Sequence, residues 1–178
     1  ETNSGIIPNS IISNSNFCLG KLVSKKSQIL LITEEGFEED HINRLISLGY
    51  KNVIGYLDGG IDTWIQKKQM LTLPKYLEHP ETFQKLDSVI DCREQREWNY
   101  GVMKCNDIVL MQLDQIPKNC YSLDASKSYG VYCKRGMRSL AVTSYLMFKG
   151  FNVTNIPGGF INWVFKNGKG QMVKKLIR

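Results

Sequence analysis

Two stretches of the chain run through the same alternation of apolar and polar positions. The first, Gln28 to Trp64, reads as an apolar run, a polar loop around Gly36, an amphipathic stretch ending at Gly49-Tyr50, a second short apolar run, then Gly59-Gly60 and Trp64. The second, Ser128 to Trp163, repeats that order with Gly136, Gly150-Phe151, Gly158-Gly159 and Trp163. Upstream, the segment Gly5 to Ile11 corresponds loosely to Gly101 to Ile108. Self-similarity of this kind marks one supersecondary plan written twice.

The apolar runs Ile29 to Ile32 and Tyr129 to Cys133 are short and bounded by polar residues, the pattern of strands buried on both faces. Behind each loop the apolar positions take helical spacing: Ile42, Leu45, Ile46 and Leu48 in the first copy, Leu140, Val142, Leu146 and Met147 in the second. Each helix is predicted to stop at a glycine suited to a C-terminal cap. Strands alternating with helices predict an α/β fold of two domains, each a parallel sheet with helices on both faces. Pro74 and Pro80 interrupt the stretch between the copies, which places the boundary near Leu71 to Pro74 and the domains at residues 1–72 and 73–178. The second copy opens on a strand, Ser88 to Cys92, and a short helix, Arg93 to Trp98. The first copy has no counterpart before Gly5 and is expected to be incomplete at its front. The chain also opens on Glu1 without an initiator Met, which reads as a cut within a longer protein.

Composition narrows the partners. A chain of 178 residues with 42% apolar and 22% charged residues can bury a real core, and no apolar run nears the roughly 20 residues of a membrane span. The net charge of +6 is scattered, without basic runs or interleaved aromatics, so small anions fit better than nucleic acid. Five cysteines, an odd number with no C-x-x-C pair, point away from a disulfide framework or a zinc site and towards a reducing, cytoplasmic compartment. No cofactor or metal is expected in this chain.

One cysteine stands apart. Cys133 ends a predicted parallel strand, beyond whose carboxyl end ligands of open α/β sheets sit. The loop Lys134-Arg135-Gly136-Met137-Arg138-Ser139 leads from it into a helix, whose first N–H groups and positive dipole end stabilise a thiolate. Such surroundings bring a thiol from about 8.5 into roughly 3.5–7.5. The two histidines, His41 and His79, are not needed as bases. Cys92, inside a predicted strand, is read as core packing, Trp64 and Trp163 as packing anchors, and Gly158-Gly159 as a tight turn. Cys18, Cys105 and Cys120 have no supporting context, although Cys105 is open to a relay role.

The loop Cys133 to Ser139, the segment Ile90 to Gly101 with its Asp91-x-Arg93 and Glu97-Trp98, and the closing Gly158-Gly159-x-x-x-Trp163 together resemble the rhodanese family. The resemblance covers residues 75 to 168. It implies sulfurtransfer through a persulfide on Cys133, with loop residues Lys134, Arg135, Gly136, Met137, Arg138 and Ser139 binding the donor and Asp91 and Arg93 as supports. Thiosulfate or a low-molecular-weight persulfide would be the anionic donor and a thiol or sulfite the acceptor. Where the family has a proline turn, this chain has Gly101-Val102-Met103-Lys104-Cys105-Asn106. In the first copy Thr33 stands where the cysteine belongs, among Glu34, Glu35, Glu38, Glu39 and Asp40, so that copy resembles a noncatalytic relative. A degenerate copy ahead of an active one resembles the C-terminal part of metallo-β-lactamase/rhodanese fusions, which implies an upstream iron module in the parent chain. Related phosphatases and arsenate reductases have a loop one residue longer than this one. The rival reading from another class is a redox-sensing or partner-dependent sulfur-carrier module without small-molecule turnover.

Overall fold

A computed structural model describes residues 5–13, 15–77, 80–167 and 172–173; His79 lies outside them. The chain runs α1 (Asn16–Leu22), β1 (Ile29–Leu31), α2 (Glu38–Ser47), β2 (Val53–Tyr56), α3 (Gly60–Gln66), β3 (Lys75–Tyr76), β4 (Ser88–Asp91), α4 (Gln95–Trp98), β5 (Val102–Met103), β6 (Ile108–Leu110), α5 (Ile116–Asn119), β7 (Ser128–Tyr132), α6 (Met137–Phe148), β8 (Asn152–Asn155), α7 (Gly159–Asn167) and β9 (Met172–Val173), with short 3-10 turns at Pro80–Lys85 and Cys120–Ser122. Five parallel strands in the order β3-β8-β7-β4-β6 make the main sheet. The α/β class and the strand–helix alternation read from the sequence are both present.

The central strands β4 and β7 are the apolar runs that the pattern singled out. Ser88 to Asp91 and Tyr129 to Tyr132 are buried throughout, as strands covered on both faces must be. Alternation along them divides the interior into two clusters. Ile90, Cys92, Val131 and Cys133 face one cluster with Ala141, Val142 and Leu146 of α6. Val89, Tyr132 and Ile156 face the other with Leu77, Phe83 and Met103, where the Phe83 and Trp163 rings pack 4.5 Å apart.

Helix α6 is buried from Ala141 through Tyr145 to Leu146, not along one stripe alone. Its outer face is covered by the N-terminal stretch: Cys18 and Leu22 of α1 join the same cluster, and the Ile12 N–H donates to Ser144 Oγ at 2.8 Å. The sequence is consistent with this, because Arg138 is the helix's one charged residue, and a helix apolar on all sides belongs in an interior. Tyr50, fully buried, ties α1 to the turn between α2 and β2, with its hydroxyl 3.1 Å from the carbonyls of both Leu19 and Val23.

The smaller unit departs from the expected burial. Among the described residues β1 and β2 form a two-stranded parallel sheet, with Leu30 61% and Ile54 63% exposed on one face. The run Ile29 to Ile32 is therefore not buried on both faces, because no further layer of the described residues packs over that side. Thr72 returns to pair with Ile6 through two 2.8 Å bonds, and β3 then joins the main sheet. The two-residue strands β3, β5 and β9 are too short for any periodicity to announce them.

Candidate active site

Cys133 follows the last residue of β7, at the carboxyl edge of the main sheet. The chain then turns through Lys134 and Arg135 into α6, with Gly136 at φ +100° as the residue before the helix. That left-handed conformation is open to glycine and costly for most other residues. The turn aims backbone N–H groups inward, and Gly136 N–H donates to Cys133 Sγ at 3.1 Å. Cys133 itself is only 1% exposed, whereas Lys134, Arg135 and Met137 on the loop are exposed.

The setting holds the Cys133 thiol far below its ordinary value of 9.0, at about 5. The leading cause is a hydrogen bond from Cys92; burial opposes it, and the backbone N–H groups of Ser139 and Arg135 and the Ser139 hydroxyl reinforce it. Cys92 moves the other way, its thiol held well above the ordinary range by burial first and then by the neighbouring Cys133. Hydrogen bonding to the charged form lowers an acid's pKa and desolvation raises it, and here one thiol receives mainly the first and the other mainly the second. The Cys92 sulfur lies 3.1 Å from the Tyr132 carbonyl as well.

Arg138 is held rather than free. Its two terminal nitrogens donate to Glu97 at 2.6 and 2.9 Å, a bidentate pair with both side chains less than one-fifth exposed. That pair raises Arg138 further above its already high value and draws Glu97 below the usual carboxylate range despite the burial that opposes it. Glu97 belongs to α4, whose first turn it closes by accepting from the Glu94 N–H at 3.0 Å. The α4 turn and the cysteine loop are thus clamped together by one charge pair.

Asp91 and Arg93 form a second, wholly buried brace. The guanidinium bonds the Asp91 carboxylate at 2.6 to 3.1 Å, reaches the Gly101 carbonyl at 2.8 Å, and lies 4.1 Å over the Phe160 ring. Tyr132 donates its hydroxyl to the same carboxylate. These contacts tie Asp91 and Arg93 to Gly101, Tyr132 and Phe160.

Gly159 shows how closely the frame approaches. A Cβ at this position would meet the Cys133 carbonyl at 2.2 Å, and the next N–H, that of Phe160, donates to that carbonyl at 2.8 Å. Gly60 stands against Thr33 in the same way, with a Cβ meeting the Thr33 carbonyl at 2.1 Å. Thr33 thus occupies in the smaller unit the place that Cys133 holds in the larger. Its hydroxyl is 3.4 Å from His41 Nδ1, which is 2.8 Å from the Phe37 carbonyl. A Nδ1 that donates to that carbonyl has no lone pair left to act as a base towards Thr33.

The named loop residues Lys134 to Ser139 run from Cys133 through the turn into the start of α6, with Arg138 held on Glu97, while Asp91 and Arg93 lie in the neighbouring brace. Sequence reasoning passed over Glu97, whose place in the Asp91-x-Arg93-x-x-x-Glu97 segment was visible, and Cys92, whose proximity to Cys133 follows from strand register. Cys105 is bonded at its own turn, its sulfur 3.3 Å from the Asp107 carbonyl. Among the described residues no cluster of three or more His, Cys, Asp or Glu side chains is arranged to hold a metal ion, and no helix is long and apolar enough to cross a membrane.

A parallel-sheet α/β unit carrying a cysteine of lowered pKa at the start of a strand-to-helix loop defines the class, and comparison with known proteins gives the family. The model of the rhodanese-like domain matches residues 73–166, and the chain belongs to that family. It is 36% identical over 75 residues to the putative sulfurtransferase YtwF of Bacillus subtilis, an alignment covering 42% of this chain and 71% of that one. Among solved structures it is similar to reduced Bacillus anthracis CoADR-RHD, with a TM-score of 0.51 and 23% identity over 56% of this chain and 18% of that one. It is also similar to a rhodanese-related protein of Thermoplasma volcanium, with a TM-score of 0.44 and 26% identity over 49% and 84% of the two chains.

Proposed function

We propose that the chain is a sulfurtransferase that carries sulfane sulfur on Cys133. The observation that carries this reading is the thiol at about 5 beneath a loop that donates backbone N–H groups to its sulfur. At neutral pH such a group is a thiolate, the form that attacks sulfur. Family membership and the likeness to a putative sulfurtransferase support the same reaction class.

With thiosulfate as donor, the Cys133 thiolate attacks the outer sulfur, the S–S bond of thiosulfate breaks, and sulfite departs with the bonding pair. Cys133 is left as a persulfide anion. A thiophilic acceptor, sulfite or a thiol, then takes the outer sulfur and restores the thiolate, a covalent route that divides one transfer into two easier ones. A low-molecular-weight persulfide serves by the same attack with a thiolate as leaving group. The loop N–H groups stabilise the charge on the terminal sulfur without reorganisation, and Lys134 and Arg135 supply positive potential at the entrance. Arg138 acts through its clamp on Glu97, keeping the loop in shape.

The smaller unit, residues 1–72, is on this reading a noncatalytic copy. Thr33 in the cysteine's place, the acidic surroundings and the matching approach of Gly60 support it.

Intact-mass spectrometry after incubation with thiosulfate or glutathione persulfide tests the reading. The wild-type chain is expected to gain one sulfur that cyanide or sulfite discharges, and Cys133→Ser to gain none. A wild-type chain that gains no sulfur on Cys133 from either donor overturns it.

A further inference from the structure

Cys92 and Cys133 each follow the last residue of one of two neighbouring parallel strands, β4 and β7. The pairing of β4 with β7 ends at Asp91 opposite Tyr132, and the Cys92 N–H still donates to the Tyr132 carbonyl at 3.0 Å. The next residue on each strand, Cys92 and Cys133, therefore stands one strand spacing apart, about 4.8 Å. That separation lies within the range a disulfide spans, roughly 4.4–6.8 Å between Cα atoms. Side-chain alternation turns both the same way. Asp91 and Tyr132 meet each other through their polar ends, and the two cysteines face together into the cluster under α6. Both are buried, so the thiols meet without competing water.

The geometry points to Cys92 as a resolving thiol that discharges the Cys133 persulfide when no acceptor takes its sulfur, releasing hydrosulfide and leaving a Cys92–Cys133 disulfide. This rests on the sulfurtransferase reading above. In the step, the Cys92 sulfur bonds to Cys133 Sγ and the bond from Sγ to the outer sulfur breaks. The electron pair leaves on the outer sulfur, which takes the Cys92 proton and departs as HS−. One persulfide anion and one thiol thereby give one disulfide and one hydrosulfide, with the sulfane sulfur reduced and the two cysteines oxidised. A dithiol reductant restores both thiols by exchange. Cys92 keeps its proton at neutral pH, which makes it a poor free nucleophile and confines the reaction to a persulfide held next to it. An acceptor reaching the outer sulfur first wins, and the internal step empties a site left loaded.

The experiment loads wild type and Cys92→Ser with thiosulfate, removes donor and acceptor, and follows sulfide release, intact mass and non-reduced peptides over time. Wild type is expected to lose the gained sulfur as sulfide, to end two hydrogens lighter than the reduced chain, and to yield a linked Cys92–Cys133 peptide that a dithiol dissolves. Cys92→Ser is expected to load more slowly, to hold its sulfur, and to surrender it to cyanide. A wild type that holds its sulfur as long as Cys92→Ser, with no linked peptide, overturns the inference and leaves the sulfurtransferase reading intact. If neither protein loads, the sulfurtransferase reading fails instead, and the thiol oxidant diamide then tests the pairing alone: absence of the linked peptide overturns it. Circular dichroism of Cys92→Ser, and repetition with Cys92→Ala, separate these outcomes from misfolding.

Discussion

Around the single residue Cys133 the site is an arrangement for keeping one thiol ionised inside a protein. Burial by itself favours the neutral form, and the hydrogen bonds converging on Cys133 reverse that preference. Iodoacetamide alkylation of Cys133 is expected to rise through about pH 5 and level off before neutrality, read as the difference between wild type and Cys133→Ser. Cys92→Val removes the leading hydrogen bond and is expected to move that midpoint upward, towards the ordinary 9.0. Stability follows with a definite sign. Because the folded value lies below the unfolded one, the thiolate's contribution is fully present above 9.0 and is lost as the pH falls through about 5. Urea midpoints of wild type and Cys133→Ser should therefore converge towards acid. Cys133 was legible in the sequence because its signals are local: a strand end, a loop glycine, cations and a helix start. Cys92 was not, because its influence depends on which strand lies beside which.

Elements bring these residues together by close backbone approach and by one charge clamp. Gly159→Ala forces a Cβ against the Cys133 carbonyl at a φ of +57°. It is expected to lower stability by about 1–3 kcal/mol and to slow sulfur loading, measured by urea unfolding and by timed intact mass. Gly158-Gly159 was readable as a tight turn from sequence alone, but its purpose, to admit the cysteine loop, needs the turn and the loop in contact. Glu97→Gln removes the charge that holds Arg138 and is expected to cost about 1–3 kcal/mol, with Glu97→Asp recovering part of it. In the smaller unit the start of α2 carries Glu38, Glu39 and Asp40 in its first turn. Thr33→Cys in a Cys133→Ser background is therefore expected to gain no sulfur from thiosulfate, since acidic residues repel both a thiolate and an anionic donor. The helices α2 and α6 and the strands β4 and β7 were legible because their patterns span several residues, whereas α1 and α5 were not anticipated, and the exposure of Leu30 and Ile54 depends on layers a strand's own sequence does not specify.

The whole molecule joins its N-terminal stretch to the larger unit's core. Leu22 is 4% exposed in the cluster that holds Cys133 and α6. Leu22→Ala is expected to destabilise the protein by about 2–5 kcal/mol, read by urea unfolding, with hydrogen exchange quickening in α6. A strictly separate first unit would leave α6 exchange unchanged. Within the larger unit the expected plan, a parallel sheet with the thiol at its carboxyl edge, is present because chain order and right-handed crossovers leave few other topologies.

Order along the chain is enough to set the α/β class, the self-similarity of the two stretches, the strands and helices around the loop, and the singling out of Cys133 among five cysteines, because periodicity and motif spacing are properties of neighbours in sequence. Folding in three dimensions is what binds Arg138 to Glu97, sets Asp91 and Arg93 as a buried brace, lays α1 over α6, and turns Cys92 towards Cys133. Each of these depends on residues far apart in sequence meeting across strands and layers, and on the balance of burial against hydrogen bonding that only their meeting creates.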